Sequence, residues 1–261
     1  MKALHIAATG MAAQQMKVDV VSNNLANMST TGYNARRADF ADLHYQQYAA
    51  PGTVSAADGT MLPTGVQIGL GVRPTSVSIV LAQGSLSQTG GDLDLAIDGA
   101  GYLEVTLPSG LSAYTRDGGL KRSADGLIVT SDGYPVAPGI TIPSDARSIA
   151  INAAGEVYAY FNDRVEPEQL GQLTLTGFTN EKGLEAIGSN LFLETAASGG
   201  PLTGTPGVDG LGTLRQGYLE ESSVDPVREV TELIKAQRGY ELNAKVITAA
   251  DQMLSATTQV R

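Results

Sequence analysis

Two histidines, His5 and His44, are all the imidazole in this chain of 261 residues, and it contains no cysteine. A histidine base or metal ligand needs partners at a spacing that a fold can close. Neither histidine has one, and His5 falls inside an apolar-periodic stretch where a surface or interface role is expected. Zero cysteine excludes thiol catalysis, Cys-ligated zinc and disulfides. Asp92-x-Asp94 with Asp98-Gly99 faintly resembles a calcium loop. Ala96 and Ile97, however, stand where that loop requires a ligand and its glycine. Gly99-Ala100-Gly101 opens like a dinucleotide fingerprint, yet no third glycine follows at the right offset and the segment leads into a strand rather than a helix. Glu220-Glu221 could in principle serve glycosidase chemistry, but adjacency in sequence does not supply the required cleft geometry. Neither a Walker loop nor a Gly-x-Ser-x-Gly elbow is present. No catalytic, cofactor-binding or metal-binding residue is expected, and no enzyme.

The spacing that does recur is seven. Leu233, Tyr240, Ile247 and Leu254 lie seven apart, with Ala236, Asn243, Ala250 and Thr257 three residues after each, and Val246, Met253 and Val260 alongside. At the other end Leu4, Met11, Val18 and Leu25 repeat the pattern, followed at the same offset by Ala7, Gln14, Val21 and Met28. A seven-residue repeat keeps one narrow apolar stripe of a helix turned toward a partner helix. The residues expected to form the interface are Leu4, Met11, Val18, Val21, Leu25, Leu233, Tyr240, Ile247, Met253 and Leu254. Ile6, Val20 and the flanking series widen both stripes beyond what one partner covers, and leftover apolar surface is an association signal. An ordinary helical hairpin packed on a β domain is the plainer alternative.

Between these ends the chain changes character. With 31 Gly and 11 Pro, much of the middle should be turns. Residues 49–84 read as a connecting extended segment, with Val66–Val72 as a strand inside it. Residues 85–215 carry short alternating runs separated by Asp-Gly turn pairs at 98, 117, 125, 132 and 209. Those runs include Asp92–Asp98, Gly101–Leu107, Leu127–Thr130, Glu156–Phe161 and Gln172–Phe178. The fold class that results is α+β: long N- and C-terminal heptad helices pairing as a coiled coil, with a central antiparallel all-β domain. The domains expected are 1–48 and 216–261 for the terminal helical assembly domain, 49–84 for the connector and 85–215 for the β domain.

Local signals place the helix ends. The first helix should run to about residue 28, with Gly32 suited to a C-terminal cap. The aromatic, mixed segment from Tyr33 to Tyr48 suits a short helix or an extended arm, and a short helix near 38–48 is expected. Asp225 followed by Pro226 marks the start of the closing helix, and Glu220, Glu221 and Glu229 suit the positive end of its dipole. Gly239, in mid-helix, fits a close approach of the partner helix, a kink or mere tolerance.

The net charge of −10 argues against a general nucleic-acid or anionic-membrane binder. No run approaches the roughly 18 apolar residues of a membrane span. Thr9, Gly10, Gln14, Gln15 and Lys17 interrupt the apolar N-terminus, so it is expected to be mature structure and not a cleaved signal peptide.

The residues also resemble a known family. Ala8–Gln15 with Asp19-Val20-Val21-Ser22-Asn23-Asn24-Leu25-Ala26-Asn27 and Thr31-Gly32-Tyr33 is similar to the N-terminal signature of bacterial flagellar rod and hook proteins. Val224–Glu229 with Ala236-Gln237-Arg238-Gly239-Tyr240-Glu241-Leu242-Asn243-Ala244-Lys245 resembles the closing motif of that family. Leu93–Gly99 with Gly101-Tyr102, and Tyr114-Thr115-Arg116-Asp117-Gly118, resemble its central block. Ser223 departs from the pattern, which usually has Asn there. The motif residues are Asn23, Asn24, Asn27, Gly32, Tyr33, Gln237, Arg238, Tyr240 and Asn243.

Gly65–Pro74 leading to Gln83–Gly90 looks most like the distal-rod branch, with a proximal rod or hook-type paralogue as the alternative and a β-domain carbohydrate-active protein as a remote one. The resemblance implies a structural subunit, exported by the flagellar type III apparatus without a cleaved signal. It further implies helical self-assembly into a tubular drive shaft that crosses the periplasm and transmits torque to the hook. The implied partners are further copies of the chain, proximal rod proteins, the hook protein, the P-ring and L-ring bushing proteins and the export apparatus, with no nucleic acid and no membrane insertion.

Overall fold

The structure, a computed structural model, describes residues 2–51, 64–162, 164 and 166–259. It divides into two compact units. Unit 1 comprises Met1–Leu25, Arg36–Ser78 and Asp225–Arg261, and unit 2 comprises Ala26–Ala35 and Ile79–Val224. Charge divides with them. Unit 1 has ten Lys or Arg against nine Asp or Glu, while unit 2 has seven against eighteen. The acidity of the chain is therefore entirely a property of unit 2.

In unit 1 the terminal helices form as the heptads predict: α1 is Lys2–Ala26 and α2 is Pro226–Gln259. The start of α2 follows its local chemistry. Asp225 Oδ1 accepts hydrogen bonds from the Val227 and Arg228 amides at 3.0 and 3.3 Å, and Pro226, which has no N–H to satisfy, opens the helix. Among the described residues, no helix is long and apolar enough to cross a membrane. Val260 and residues 52–63 of the connecting segment lie outside the described residues.

The helix expected near 38–48 is not there. Strands β1 (Arg36–Asp42) and β2 (Tyr45–Ala49) occupy the region, paired respectively with β4 (Val72–Ile79) and β3 (Val66–Gly69). The β2–β3 pairing is antiparallel, with Tyr45 opposite Gly69 and Gln47 opposite Gln67. These residues extend because later segments, at 66–79, supply ladder partners, which helical periodicity cannot register. Side chains add to the β1–β4 pairing: Asp39 accepts from Arg37 Nε at 3.0 Å, Ser78 Oγ at 3.0 Å and Ser76 Oγ at 3.3 Å. Led by the Ser78 bond, these donors hold the Asp39 carboxyl below its ordinary range.

Unit 2 is the antiparallel β domain. Its strands are β5 (Leu86–Gln88), β6 (Leu95–Asp98), β7 (Tyr102–Thr106), β8 (Ser112–Thr115), β9 (Lys121–Arg122) and β10 (Ile128–Val129). They continue with β11 (Ala146–Ile151), β12 (Glu156–Phe161), β13 (Glu168–Gln172), β14 (Leu175–Gly177) and β15 (Glu185–Gly188). The last are β16 (Leu191–Leu193), β17 (Leu202–Gly204), β18 (Thr213–Gln216) and β19 (Tyr218–Glu220). A six-stranded sheet in the order β15-β16-β8-β7-β14-β17 is its largest layer. Strands β11-β12-β13 make a second sheet, and β5, β6 and β9 pair with β19, β18 and β10.

The run Asp92–Asp98 is only half strand. Asp92 and Leu93 lie in a turn, and Leu95, Ala96 and Ile97 are all buried, so the segment is covered on both faces where alternation suggested one. The run Gln172–Phe178 likewise divides between β13 and β14. The main core gathers Leu95, Ile97, Leu103, Val105, Val157 and Leu175 with their neighbours. A smaller aromatic core joins Tyr102, Tyr114, Phe178 and Phe192, the Tyr114 and Phe178 rings meeting edge to face at 4.8 Å. Burial pushes the Tyr114 phenol up to about 12.

Candidate assembly site

Two arrangements bring the motif residues together, one in each unit. In unit 1, α1 and α2 run antiparallel. An added Cβ at Gly10 would meet the Asn243 side chain at 2.9 Å, and one at Gly239 would meet Gln14 at 3.1 Å. Of the readings open for the mid-helix Gly239, the close approach is the one found, and Gly10 marks a second one that mirrors it. Mid-helix glycines cost roughly 0.5–1 kcal/mol each against alanine, a cost offset here by near contact of backbone and amide. One turn away, Lys17 Nζ lies 2.6 Å from Glu232 Oε2, and Lys235 Nζ reaches Glu232 Oε1 at 2.8 Å. Hydrogen bonds from Lys17 and then Lys235 draw the Glu232 carboxyl down to about 2.

The burial pattern refines the heptad reading. Fully buried positions are small or polar: Ala7, Ala13, Val21 and Asn24 on α1, and Ala236 and Ala250 on α2. The larger seam residues Leu4, Met11, Val18, Leu25, Leu233, Ile247 and Leu254 are half-buried, and Tyr240 is 44% exposed. Val18 and Tyr240, with Gln15, Gln237 and Glu241, line an open groove of about 430 Å³. Beyond it Leu242 and Met253 are 62% and 63% exposed, and Val227, Val230, Ile234 and Val246 are also open. A monomer therefore leaves much of α2's apolar surface uncovered.

The Asn-rich end of α1 does specific work on the backbone. Asn24 donates through Nδ2 to the Arg36 carbonyl at 2.8 Å and accepts the Arg36 amide on Oδ1 at 2.9 Å, closing a two-point clamp on the first residue of β1. Thr9 Oγ1 accepts the Val72 amide at 3.4 Å, so α1 also meets the start of β4. Asn23 is exposed, as are Gln237 and Arg238.

In unit 2 the second arrangement is the root, where the chain enters and leaves. Arg116 and Glu220 are buried there together. Arg116 Nη2 lies 2.9 Å and Nε 3.0 Å from Glu220 Oε2, while Nη1 and Nη2 donate to the Gly101 and Gly99 carbonyls at 3.1 and 3.0 Å. The other carboxylate oxygen of Glu220 accepts the Gly84 amide at 3.1 Å. Around this pair the incoming chain is stitched to the outgoing one. Gly32 N–H donates to the Glu220 carbonyl at 2.8 Å, Ser223 N–H to the Tyr33 carbonyl at 3.0 Å, and Ala35 N–H to Ser223 Oγ at 2.9 Å.

Two expectations are corrected at the root. Gly32 does not cap α1, which ends at Ala26. Its φ of +65° lets it pass within contact of the Arg116 backbone, where a Cβ would come to 2.8 Å. Glu220 and Glu221 do not serve the α2 dipole either: Glu220 is held by Arg116, and Glu221 accepts Ser85 Oγ at 2.5 Å. Ser223, the departure from the family motif, is the acceptor for Ala35. The role of Arg116 and Glu220 was missed because the two are 104 residues apart. An arginine within a strand-end Thr-Arg-Asp-Gly was the one available signal.

Three family models match in chain order, all of the bacterial flagellum's rod and hook proteins. They are a flagella basal body rod protein model over residues 4–34, the D1 domain of flagellar hook protein FlgE/F/G over 96–159, and the flagellar basal body rod FlgEFG protein C-terminal model over 215–260. The first and last of these cover the two terminal helices, and the middle one includes Arg116.

The flagellar basal-body rod protein FlgG of Caulobacter vibrioides is 53% identical over 261 residues, covering all of both chains. Proteins of the same name from Agrobacterium fabrum and Buchnera aphidicola subsp. Acyrthosiphon pisum are 48% and 45% identical. The Agrobacterium match covers 98% of this chain and 97% of its relative, the Buchnera match 98% of each. The chain belongs to the flagellar basal-body rod protein family and is a structural subunit of that rod.

Proposed function

We propose that the chain builds the distal part of the flagellar rod, polymerising helically into a tubular drive shaft that crosses the periplasm and carries torque to the hook. The observation that carries this reading is the end-to-end match to rod proteins, with both terminal helices inside matched segments. The uncovered apolar face of α2 supports it, because a subunit of a polymer needs surface that only neighbours can bury. Leu4, Met11, Val18, Leu25, Leu233, Tyr240, Ile247, Met253 and Leu254 are the residues we assign to that packing, with Val21, already buried in the single chain, holding α1 beneath it. On this reading the role is mechanical and not enzymatic. The partners are further copies of the chain, proximal rod proteins, the hook protein, the P-ring and L-ring proteins and the type III export apparatus, which passes the chain without a cleaved signal.

The test is polymerisation of the purified full chain followed by electron microscopy, beside versions lacking 2–26 or 226–259. Tubular polymer from the full chain alone is expected. Incorporation of either truncated chain into rods would refute a helical core.

A further inference from the structure

The apolar series on α1 and α2 repeat every seven residues, so they fit one another again after a slide of seven residues, roughly 10 Å along the axis. Hydrophobic pattern alone therefore leaves the register of the pair degenerate. The Lys17–Glu232 ion pair favours the observed register only modestly, because a pair about a third exposed is worth under about 1 kcal/mol. The stronger discrimination is small and polar. The Asn243 side chain lies on Gly10, and the Gln14 side chain lies on Gly239. In each helix the glycine precedes the amide by four residues, and the helices are antiparallel, so the two contacts are reciprocal.

A seven-residue slide one way sets Gly10 against Ala250 and Gln14 against Val246. A slide the other way sets them against Ala236 and Glu232. Either way both amides leave the bare backbone they fit, and a Cβ stands where there was none. An amide pressed on aliphatic surface without a partner is also unfavourable.

We infer that Gly10, Gln14, Gly239 and Asn243 select the register in which the two terminal helices of one chain pair. The inference rests on the subunit reading above and deepens it: a fixed register presents one definite apolar surface to neighbouring copies. A single polar core residue that fixes register in a coiled coil works by the same logic.

The absence of native cysteine makes the register measurable. Cysteines replacing the exposed Gln15 and Gln252 carry spin labels, with labelled chains diluted into unlabelled ones. Gln252 lies about two heptads beyond the level of Gln15, so a one-heptad slide changes the axial separation by roughly 10 Å. The wild-type background should give one distance. Gly10→Asn sets two amides against each other and Asn243→Gly leaves a gap, so each should add a displaced population. The reciprocal pair Gly10→Asn with Asn243→Gly should restore the single distance. Unchanged single variants, a reciprocal pair no better than the worse single, or an undefined distance in the wild-type background would each overturn the inference. Asn243→Gly removes bulk, so the test does not hang on a variant that fails to fold. Polymer formation by the wild-type chain judges the subunit reading separately. Without polymer, the same distance in the monomer judges the register.

Discussion

Arg116 and Glu220 form an ion pair 2.9 Å apart in unit 2, their side chains 7% and 3% exposed, although 104 residues separate them in the chain. Every nitrogen and oxygen of the two charged groups has a partner: two glycine carbonyls accept from Nη1 and Nη2, and a glycine amide reaches the second carboxylate oxygen. Charges taken out of water are tolerated only under such complete pairing.

Removing one partner should therefore hurt far more than removing a surface charge. Arg116→Ala or Glu220→Gln is expected to destabilise unit 2 by about 3–5 kcal/mol, by leaving an uncompensated buried charge. Arg116→Lys should recover only part of this, since an ammonium cannot reproduce the guanidinium fork. Denaturant unfolding of the full chain, followed through the tyrosines, measures it. A loss under about 1 kcal/mol, the range of exposed pairs, would show that the root does not depend on this pair.

Glu232 gives the helix pair a pH dependence with a definite sign. Its carboxyl falls from an ordinary 4.5 to about 2 in the folded chain, through hydrogen bonds from Lys17 first and Lys235 second. A group whose folded pKa is depressed contributes stability above its unfolded pKa and loses it as pH falls through the folded one. The contribution should be complete above about 5 and fade between 4.5 and 2. Other carboxylates titrate in the same window, so the informative quantity is the difference between wild type and Glu232→Gln, read by helical circular dichroism. The wild type should lose more helix on acidification than the variant. Parallel curves would refute the assignment.

How much of this could be seen in the sequence depended on how local each cause is. Asp225-Pro226 announced the start of α2 because a cap is made by residues two and three positions away. Glu156–Phe161 is a strand from end to end, and the seven-residue series found both helices. The strands at 36–49 were hidden because their partners lie at 66–79, and aromatic spacing in the segment itself suited a helix equally well. Glu220 looks like a helix-end charge in the sequence because its real partner, Arg116, is in the middle of the chain. In the helices, residue type located the seam but not its depth: Ala236 and Ala250 are buried while Tyr240, in the larger apolar series, is open. Close approach of two backbones favours small side chains over large ones, and hydrophobicity does not report that.

Asn24 offers a test of a single motif residue. Its side chain satisfies both the amide and the carbonyl of Arg36 and is itself buried. Asn24→Ala leaves both backbone groups without this partner, and a loss of about 1–3 kcal/mol is expected. Asn24→Asp keeps an acceptor for the Arg36 amide, so that amide should stay protected, but it sets a buried carboxylate against the Arg36 carbonyl and should cost stability of its own. Hydrogen exchange at the Arg36 amide separates this clamp from a general loss of packing. Faster exchange in Asn24→Ala than in Asn24→Asp is the expected order, and equal rates would dismiss the clamp.

The exposed apolar positions of α2 separate assembly from folding. Leu242 and Met253 are more than 60% exposed, so a charge placed there meets water in the single chain and should leave its helix content unchanged. In a polymer the same positions would face neighbouring copies, where an unpaired carboxylate loses its hydration and must be neutralised or excluded. Leu242→Asp and Met253→Asp should therefore give soluble chains with wild-type circular dichroism and no tubular polymer. Leu25→Asp and Ile247→Asp, at half-buried seam positions, should lose polymer and helix content together. Sedimentation after induced polymerisation, read beside the dichroism of the supernatant, distinguishes the two classes. Normal polymer from Leu242→Asp and Met253→Asp would mean that this face of α2 looks to solvent in the assembled rod, and the packing would then have to be sought along the groove between Val18 and Tyr240.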